Sequence, residues 1–239
     1  MTRKPFFWIL LTVSSVCGIL YFAKNFDNAF PALTVNVKMN REMAIGEAGI
    51  LSKKYNLGPV EYSSAVSFDG DRNLQTFVEL EGGGLDTFKM LYSDSIFHPY
   101  VWRVRHFQEK NPKEVSIWFT PEGRPYSFSQ KLSEDEPGST LNRDEAYSVA
   151  LESLNDDWYV DIDQYELIDE SEKIQPGGRT DHTFTFQLSG FQMGENGFIK
   201  LKLTVQGDRL GELVHFAQVP EAFNRRFSEM RSANDTIAF

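Results

Sequence analysis

The 239-residue chain holds one cysteine, Cys17, and four histidines, His98, His106, His182 and His215. A lone thiol cannot close an internal disulfide, and the histidines show no repeated metal-ligand spacing. Neither a disulfide framework nor a zinc module is therefore expected. Basic residues are also scarce: 24 Lys and Arg face 34 Asp and Glu, and the net charge of −10 has the wrong sign for nucleic acid. The deficit is uneven. Residues 1–24 carry Arg3, Lys4 and Lys24 and no acid, which leaves −13 on residues 25–239. A composition of 41% hydrophobic and 24% charged residues excludes a disordered or collagen-like polymer and suits one or two folded domains.

One stretch lacks charge altogether. From Pro5 to Ala23 it runs 19 residues, the length a helix needs to cross roughly 30 Å of hydrocarbon. Trp8 and Tyr21 lie near its ends, where amphipathic rings prefer the headgroup level. Thr12, Ser14 and Ser15 can return their hydroxyls to the helix backbone. Residues 1–24 read as a transmembrane anchor contacting the lipid bilayer through Pro5 to Ala23. A cleaved signal peptide fits less well, because its apolar run is usually shorter and Tyr21-Phe22-Ala23-Lys24 is a poor cleavage site. Val16, directly before Cys17, argues against a lipoprotein and leaves Cys17 as a small residue on the helix surface. Arg3, Lys4 and the amino terminus precede the span, against Lys24 and Asp27 after it, so the N-terminus is expected in the cytoplasm and the acidic body outside it. A body without cysteine suits an oxidising compartment.

The body contains an internal repeat. Met39-Asn40-Arg41-Glu42-Met43-Ala44 recurs, 102 residues on, as Leu141-Asn142-Arg143-Asp144-Glu145-Ala146. Both copies read as helix starts, with Asn40 and Asn142 as N-caps, acids in the first turn, and Glu145 closing a capping box. Ala44, Ala48, Leu51 and Tyr55 share one helical face, and Ala146, Val149, Ala150 and Leu154 share the other. The second helix precedes strand-like runs at Val160–Ile168, His182–Leu188, Phe198–Val205 and Leu210–Val219, with a Pro176-Gly177-Gly178 turn. The first precedes runs at Val101–Phe107, Glu114–Thr120 and Tyr126–Leu132, and Thr120-Pro121-Glu122-Gly123 matches Thr204-Val205-Gln206-Gly207 at an offset of 84. Gly82-Gly83-Gly84 opens an extra helix through Phe97. The expected fold class is α+β: an N-terminal transmembrane helix (1–24) followed by two related helix-plus-antiparallel-hairpin units (25–133 and 134–220), linked by the acidic Ser133–Thr140. The pattern leaves one continuous sheet and two separate sheets equally open. Residues 221–239, with Phe223, Phe227 and Met230 between Arg225, Arg226 and Arg231, read either as a C-terminal amphipathic helix packed on the second unit or as a linker towards a further span.

Candidate chemistry is thin. Asp69-Gly70-Asp71-Arg72-Asn73 alternates oxygen ligands but lacks an EF-hand's twelfth-position Glu, and reads as a hairpin turn. Gly82-Gly83-Gly84 has no following Lys-Ser/Thr and comes after an acidic strand end at Leu80-Glu81, so it reads as a loop leading into a helix rather than a phosphate cradle. Asp181-His182 and the acidic run Asn155–Asp163 have no nucleophile beside them and read as solvated turns. Arg103, Arg105 and His106, among Tyr100, Trp102, Val104 and Phe107, read as cross-strand partners of acids on a basic, aromatic strand. The 20 Phe, 9 Tyr and 4 Trp read mostly as core, with an open sheet edge or peptide groove as the alternative. No catalytic, cofactor-binding or metal-binding residue is assigned.

The helix-then-hairpins unit resembles the PepSY-like fold of bacterial envelope proteins, where such units act as inhibitory, chaperoning or ligand-sensing modules. A closer resemblance lies in Leu74–Glu81, Tyr100–Phe107, Phe119–Tyr126, Gly207-Asp-Arg-Leu210 and Val219–Asn234. With the leading span, these are similar to the N-terminal extracytoplasmic region of bacterial CPBP (CAAX- and bacteriocin-processing) intramembrane metalloproteases, over nearly the whole chain. That family's Glu-Glu-x-x-x-Arg, Phe-x-x-x-His and His-x-x-x-Asn/Asp motifs are missing: no two glutamates are adjacent, and no His has Phe four before it or Asn/Asp four after. The resemblance thus implies a non-catalytic sensing or substrate-presenting module at the bacterial plasma membrane, the front part of a longer protease, with a protein or peptide partner. The alternative is a stand-alone single-pass envelope binding or assembly protein.

Overall fold

The computed structural model describes residues 5–29, 35–93, 95–154 and 157–237. The chain forms two compact units, Met1–Asn36 and Val37–Phe239. The first is built on α1 (Pro5–Ala29), whose apolar side chains, such as Phe6, Ile9 and Leu20, are exposed. Thr12 donates its hydroxyl to the Trp8 carbonyl at 2.9 Å, which satisfies a polar group that hydrocarbon could not. Pro5–Lys24 is long and apolar enough to cross a membrane, and none of it is buried within the protein.

The second unit is an α+β body. In chain order it runs α2 (Arg41–Tyr55), β1 (Ser63–Gly70), α3 (Arg72–Leu80), α4 (Gly84–Ser93), β2 (Tyr100–Phe107), β3 (Glu114–Phe119), β4 (Pro125–Lys131), α5 (Arg143–Glu152), β5 (Tyr165–Ile174), β6 (Thr180–Leu188), β7 (Phe198–Gln206), β8 (Arg209–Gln218) and α6 (Glu221–Ile237). The eight strands form one antiparallel sheet in the order β1-β2-β3-β4-β8-β7-β6-β5. Each half is a helix followed by four strands paired in sequence order, with α3 and α4 placed between β1 and β2. The halves meet where β4 pairs β8, through Phe128 with Leu213 and Ser129 with Glu212. Of the two arrangements the sequence leaves open, the sheet is the continuous one. The matching phrases Thr120–Gly123 and Thr204–Gly207 both fall at hairpin turns, β3–β4 and β7–β8, and Gly123 (φ 102°) and Gly207 (φ 69°) supply the left-handed residue each turn needs.

Register and burial place both core clusters on one face of the sheet. Helix α2 lies on β1 and β2, and α5 on β6, β7 and β8. Ala44, Ala48, Ala146 and Ala150 are fully buried, so the helix backbones approach closely over Val104, Ile117, Phe184, Leu201 and Leu203. Farther along the same face, Leu74, Phe77, Phe88, Leu91 and Phe223 from α3, α4 and α6 cover Leu188 and Ile199. Each of these large apolar side chains contributes about 1.5–3 kcal/mol by leaving water. On the opposite face Arg103, Arg105, Trp118, Val214, Lys200 and Lys202 alternate with the core positions, and no described helix of the body packs there. Helix α6 does not pack on the second half alone: Phe223 meets Phe77 of α3 edge to face, and Arg226 pairs with Glu81 at 2.7 Å.

Both helix caps form as the repeat predicts. The Asn40 side chain accepts from Met43 N at 3.0 Å; that of Asn142 accepts from Asp144 N and Glu145 N, while Glu145 accepts from Asn142 N. Asn142→Ala is expected to cost about 1 kcal/mol, read as a lower urea midpoint with an unchanged m-value.

Several elements depart from the sequence reading. Leu80-Glu81 is not a strand end but the end of α3: Asp71 caps that helix by accepting from Leu74 N at 2.9 Å, and Leu74, Phe77 and Val78 line its buried side. Asp69–Asn73 is consequently the passage from β1 into α3 rather than a hairpin turn. The helix entered at Gly82-Gly83-Gly84 stops at Ser93, before Phe97. The strand expected at Val160–Ile168 lies later, at Tyr165–Ile174, because one 3-10 turn at Ile162–Gln164 precedes it.

Candidate functional site

Two features of the body stand apart from its packed core. The first is a sheet edge. β1 runs eight residues in unbroken register with β2, from Ser63 opposite Phe107 to Gly70 opposite Tyr100. Its sequence, Ser-Ser-Ala-Val-Ser-Phe-Asp-Gly, carries no charge before Asp69, and its outer side has no paired strand among the described residues. The other edge, β5, has a bulge between Leu167 and Asp169 and carries Glu166, Asp169, Glu170, Glu172 and Lys173. Charges and bulges are the devices that keep an edge from pairing; β5 has both, whereas β1 has no bulge and one charge near its end. Behind β1 on the open face, Arg103 stands opposite Ser67 and Arg105 opposite Ala65. Arg105 pairs with Glu114 through Nε at 2.9 Å, as the sequence predicts. Arg103 instead donates to Ser116 Oγ at 3.2 Å and lies over the Trp118 ring at 5.5 Å, with no carboxylate in contact among the described residues. The third member of that run, His106, faces the other way, hydrogen bonded to Ser52 and stacked on Tyr62 at 3.9 Å.

The second feature sits at the seam between the halves. The half-buried Tyr126 of β4 stacks on His215 of β8 at 4.4 Å with an interplanar angle of 11°, and His98 meets Tyr126 edge-on at 5.0 Å. His215 Nδ1 lies 3.0 Å from the Tyr126 carbonyl and 3.2 Å from Ser127 Oγ. The Tyr126 hydroxyl accepts from His98 N at 3.3 Å, but His98 Nδ1 is buried without a hydrogen-bond partner. Burial pushes both imidazoles down to about 4 and raises the Tyr126 phenol. Tyr92 donates to Glu122 Oε1 at 2.8 Å, and this bond with its neighbours holds the Glu122 carboxyl below its usual range despite desolvation. Cavities of about 280 and 310 Å³ flank the cluster, and His98, Tyr126 and His215 line both.

The other sequence candidates serve the framework. Asp181 forms a buried ion pair with Arg179, while His182 Nε2 lies 2.9 Å from the Leu141 carbonyl, so the two make no acid–base pair. In the acidic run, Asp157 pairs with Lys54 and Tyr55, and Trp158 is core; Asn155 and Asp156 lie outside the described residues. Among the described residues no three His, Cys, Asp or Glu side chains are grouped as a metal would need. The seam cluster has no sequence signal, since its members lie 28 and 89 residues apart and are joined only by the β4–β8 pairing. No family model, no curated protein and no solved structure matches the chain.

Proposed function

We propose that the chain is a membrane-anchored, extracytoplasmic polypeptide-binding module. The N-terminus lies in the cytoplasm, α1 crosses the bilayer, and β1 accepts an extended segment of the partner as an added strand. The observation that carries this reading is the contrast between the edges: a protected β5 and an unbroken, nearly uncharged β1. Strand addition draws affinity from backbone hydrogen bonds and specificity from the side chains beside them. Arg103, reachable past the small Ser67, favours an acidic residue on the partner's open-face side. The finer reading is that the module is the non-catalytic front of a CPBP-type intramembrane protease and presents substrate to a catalytic bundle. The phrases Tyr100–Phe107, Phe119–Tyr126 and Val219–Asn234 support it. Tethering by α1 would raise the partner's effective concentration at the membrane.

Two experiments test this. An array of short acidic peptides is probed with the full chain in nanodiscs. Ala65→Lys with Ser67→Lys in β1 is expected to abolish binding, while Ile168→Lys with Ile174→Lys in β5 leaves it intact; the reverse order of effects would sink the edge assignment. Intact mass of the native membrane-fraction product, tagged before Met1, tests the protease reading. A product far heavier than 27.4 kDa with further spans supports it, and one near 27.4 kDa leaves a stand-alone single-pass binding protein.

A further inference from the structure

The smaller seam cavity has the features of a ligand site, and it shares no residue with the β1 edge. Its volume of about 280 Å³ lies just under the roughly 300 Å³ lower bound of ordinary ligand pockets, so only a small ligand fits. Trp158 and Tyr165 give it aromatic walls, and Tyr159 and Arg124 stand at its mouth, the guanidinium 5.9 Å from the Tyr159 ring. In a chain with ten more acids than bases, Arg124 has no carboxylate partner among the described residues. Asp161, the acid that also lines the cavity, is already engaged by Gln164 Nε2 at 2.9 Å. His98, 6% exposed, borders the cavity with Nδ1 unsatisfied, and the Tyr165 phenol is pushed up to about 12 by burial alone.

One strained backbone position lies at the same place. Among the described residues, four non-glycine residues have positive φ. Asn56 closes the C-terminus of α2 and Lys110 turns the β2–β3 hairpin, both ordinary uses of that conformation. Ser95 (φ 55°) stands just past α4 and donates its N–H to the Tyr92 carbonyl at 3.2 Å, a helix-end use as well. The fourth, Tyr159 (φ 53°), lines this cavity, and no cap or hairpin among the described residues accounts for it. Strain of this kind persists where the surroundings hold it, and it gathers at ligand sites.

We propose that this cavity binds a small ligand made of an aromatic body and a carboxylate, the ring lying against Trp158, Tyr159 and Tyr165 and the carboxylate meeting Arg124. The same chemistry could come from a free aromatic acid or from the C-terminal aromatic residue of a polypeptide. Calorimetric titration of the full chain in nanodiscs separates these sources with three probes: N-acetylphenylalanine, its amide, and Gly-Gly-Phe. N-acetylphenylalanine is expected to bind about tenfold more tightly than the amide, and Arg124→Gln to remove that difference while leaving the amide unchanged. Arg124 is exposed, so this variant should fold. Tighter binding of Gly-Gly-Phe than of N-acetylphenylalanine identifies a polypeptide C-terminus as the source; the reverse identifies a free acid. No saturable heat with any probe, equal binding of acid and amide, or an acid preference that survives Arg124→Gln would overturn the proposal. Binding at β1 is unaffected by Arg124→Gln and reports separately on the strand-edge reading.

Discussion

Asp181→Ala should cost the body about 3–5 kcal/mol, because it strands a buried guanidinium. Arg179 and Asp181 are only 3% and 8% exposed. Asp181 accepts from Arg179 Nε at 2.7 Å, from Arg179 Nη2 at 3.2 Å and from Gln175 Nε2 at 2.6 Å. The remaining Arg179 nitrogen, Nη1, donates to the carbonyls of Ser133 and Glu136, at 3.3 and 3.0 Å. One ion pair therefore fastens the linker between the two halves to the β5–β6 turn. Space around it is tight: a Cβ at Gly138 would lie 2.7 Å from the Arg179 side chain, and one at Gly177 would lie 2.5 Å from the Asp135 carbonyl. With Asp181 removed, the guanidinium keeps two carbonyls and loses its countercharge. For a body of this size the loss corresponds to a fall in Tm of roughly 6–20 °C. Arg179→Met with Asp181→Leu removes both charges, so it should cost less than Asp181→Ala alone. Urea unfolding of the two variants decides. A single-variant cost under about 1 kcal/mol would mean that the pair is solvated and the linker is held by other contacts.

The parts of the fold legible in the sequence are those whose signals are local. Asn40 and Asn142 mark their helices because a cap needs only the residues that follow it. Phe198–Gln206 reads as a strand because its strict alternation matches a half-buried position in the sheet. β5 escapes a pattern reading because an edge strand exposed over most of its length has little buried face to alternate with; eight of its ten positions are exposed. β1 hides for a related reason, since Ser63, Ser64, Ala65 and Ser67 are small rather than apolar. Leu74–Leu80 misleads because it is a short run with few apolar residues, although the Asp71 cap and the i, i+3, i+4 spacing of Leu74, Phe77 and Val78 mark a helix. The continuous sheet and the seam cluster rest on a pairing between β4 and β8 that brings Tyr126 and His215 together across 89 residues, and no local pattern encodes that.

The same seam should make the body sensitive to acid. His98 and His215 titrate near 4 when folded, against an ordinary value of 6.5, because burial disfavours the imidazolium. Between those values the unfolded chain binds protons that the folded chain does not, so stability rises with pH across the window. It is fully present above about 6.5, falls as the pH drops towards 4, and stops falling from this source once both states are protonated. Each imidazole contributes on the order of 3 kcal/mol, and a charge on His98 disfavours one on His215 in addition to burial. His106, lowered by burial as well, acts in the same direction. The depressed carboxyls Glu122 and Asp157 also lose stabilisation in acid, but only below their ordinary values of 4.5 and 3.8. A fall in urea midpoint between pH 6.5 and 4.5 therefore belongs to the imidazoles. His98→Phe keeps the edge-on contacts with Tyr126 and Tyr92 and removes the unsatisfied Nδ1. It should leave stability near neutrality little changed and make the slope across the window visibly shallower. A midpoint that stays flat from pH 6.5 to 4.5 in the unaltered protein would show that water reaches both rings, and the seam would then be a hydrated channel between the two cavities.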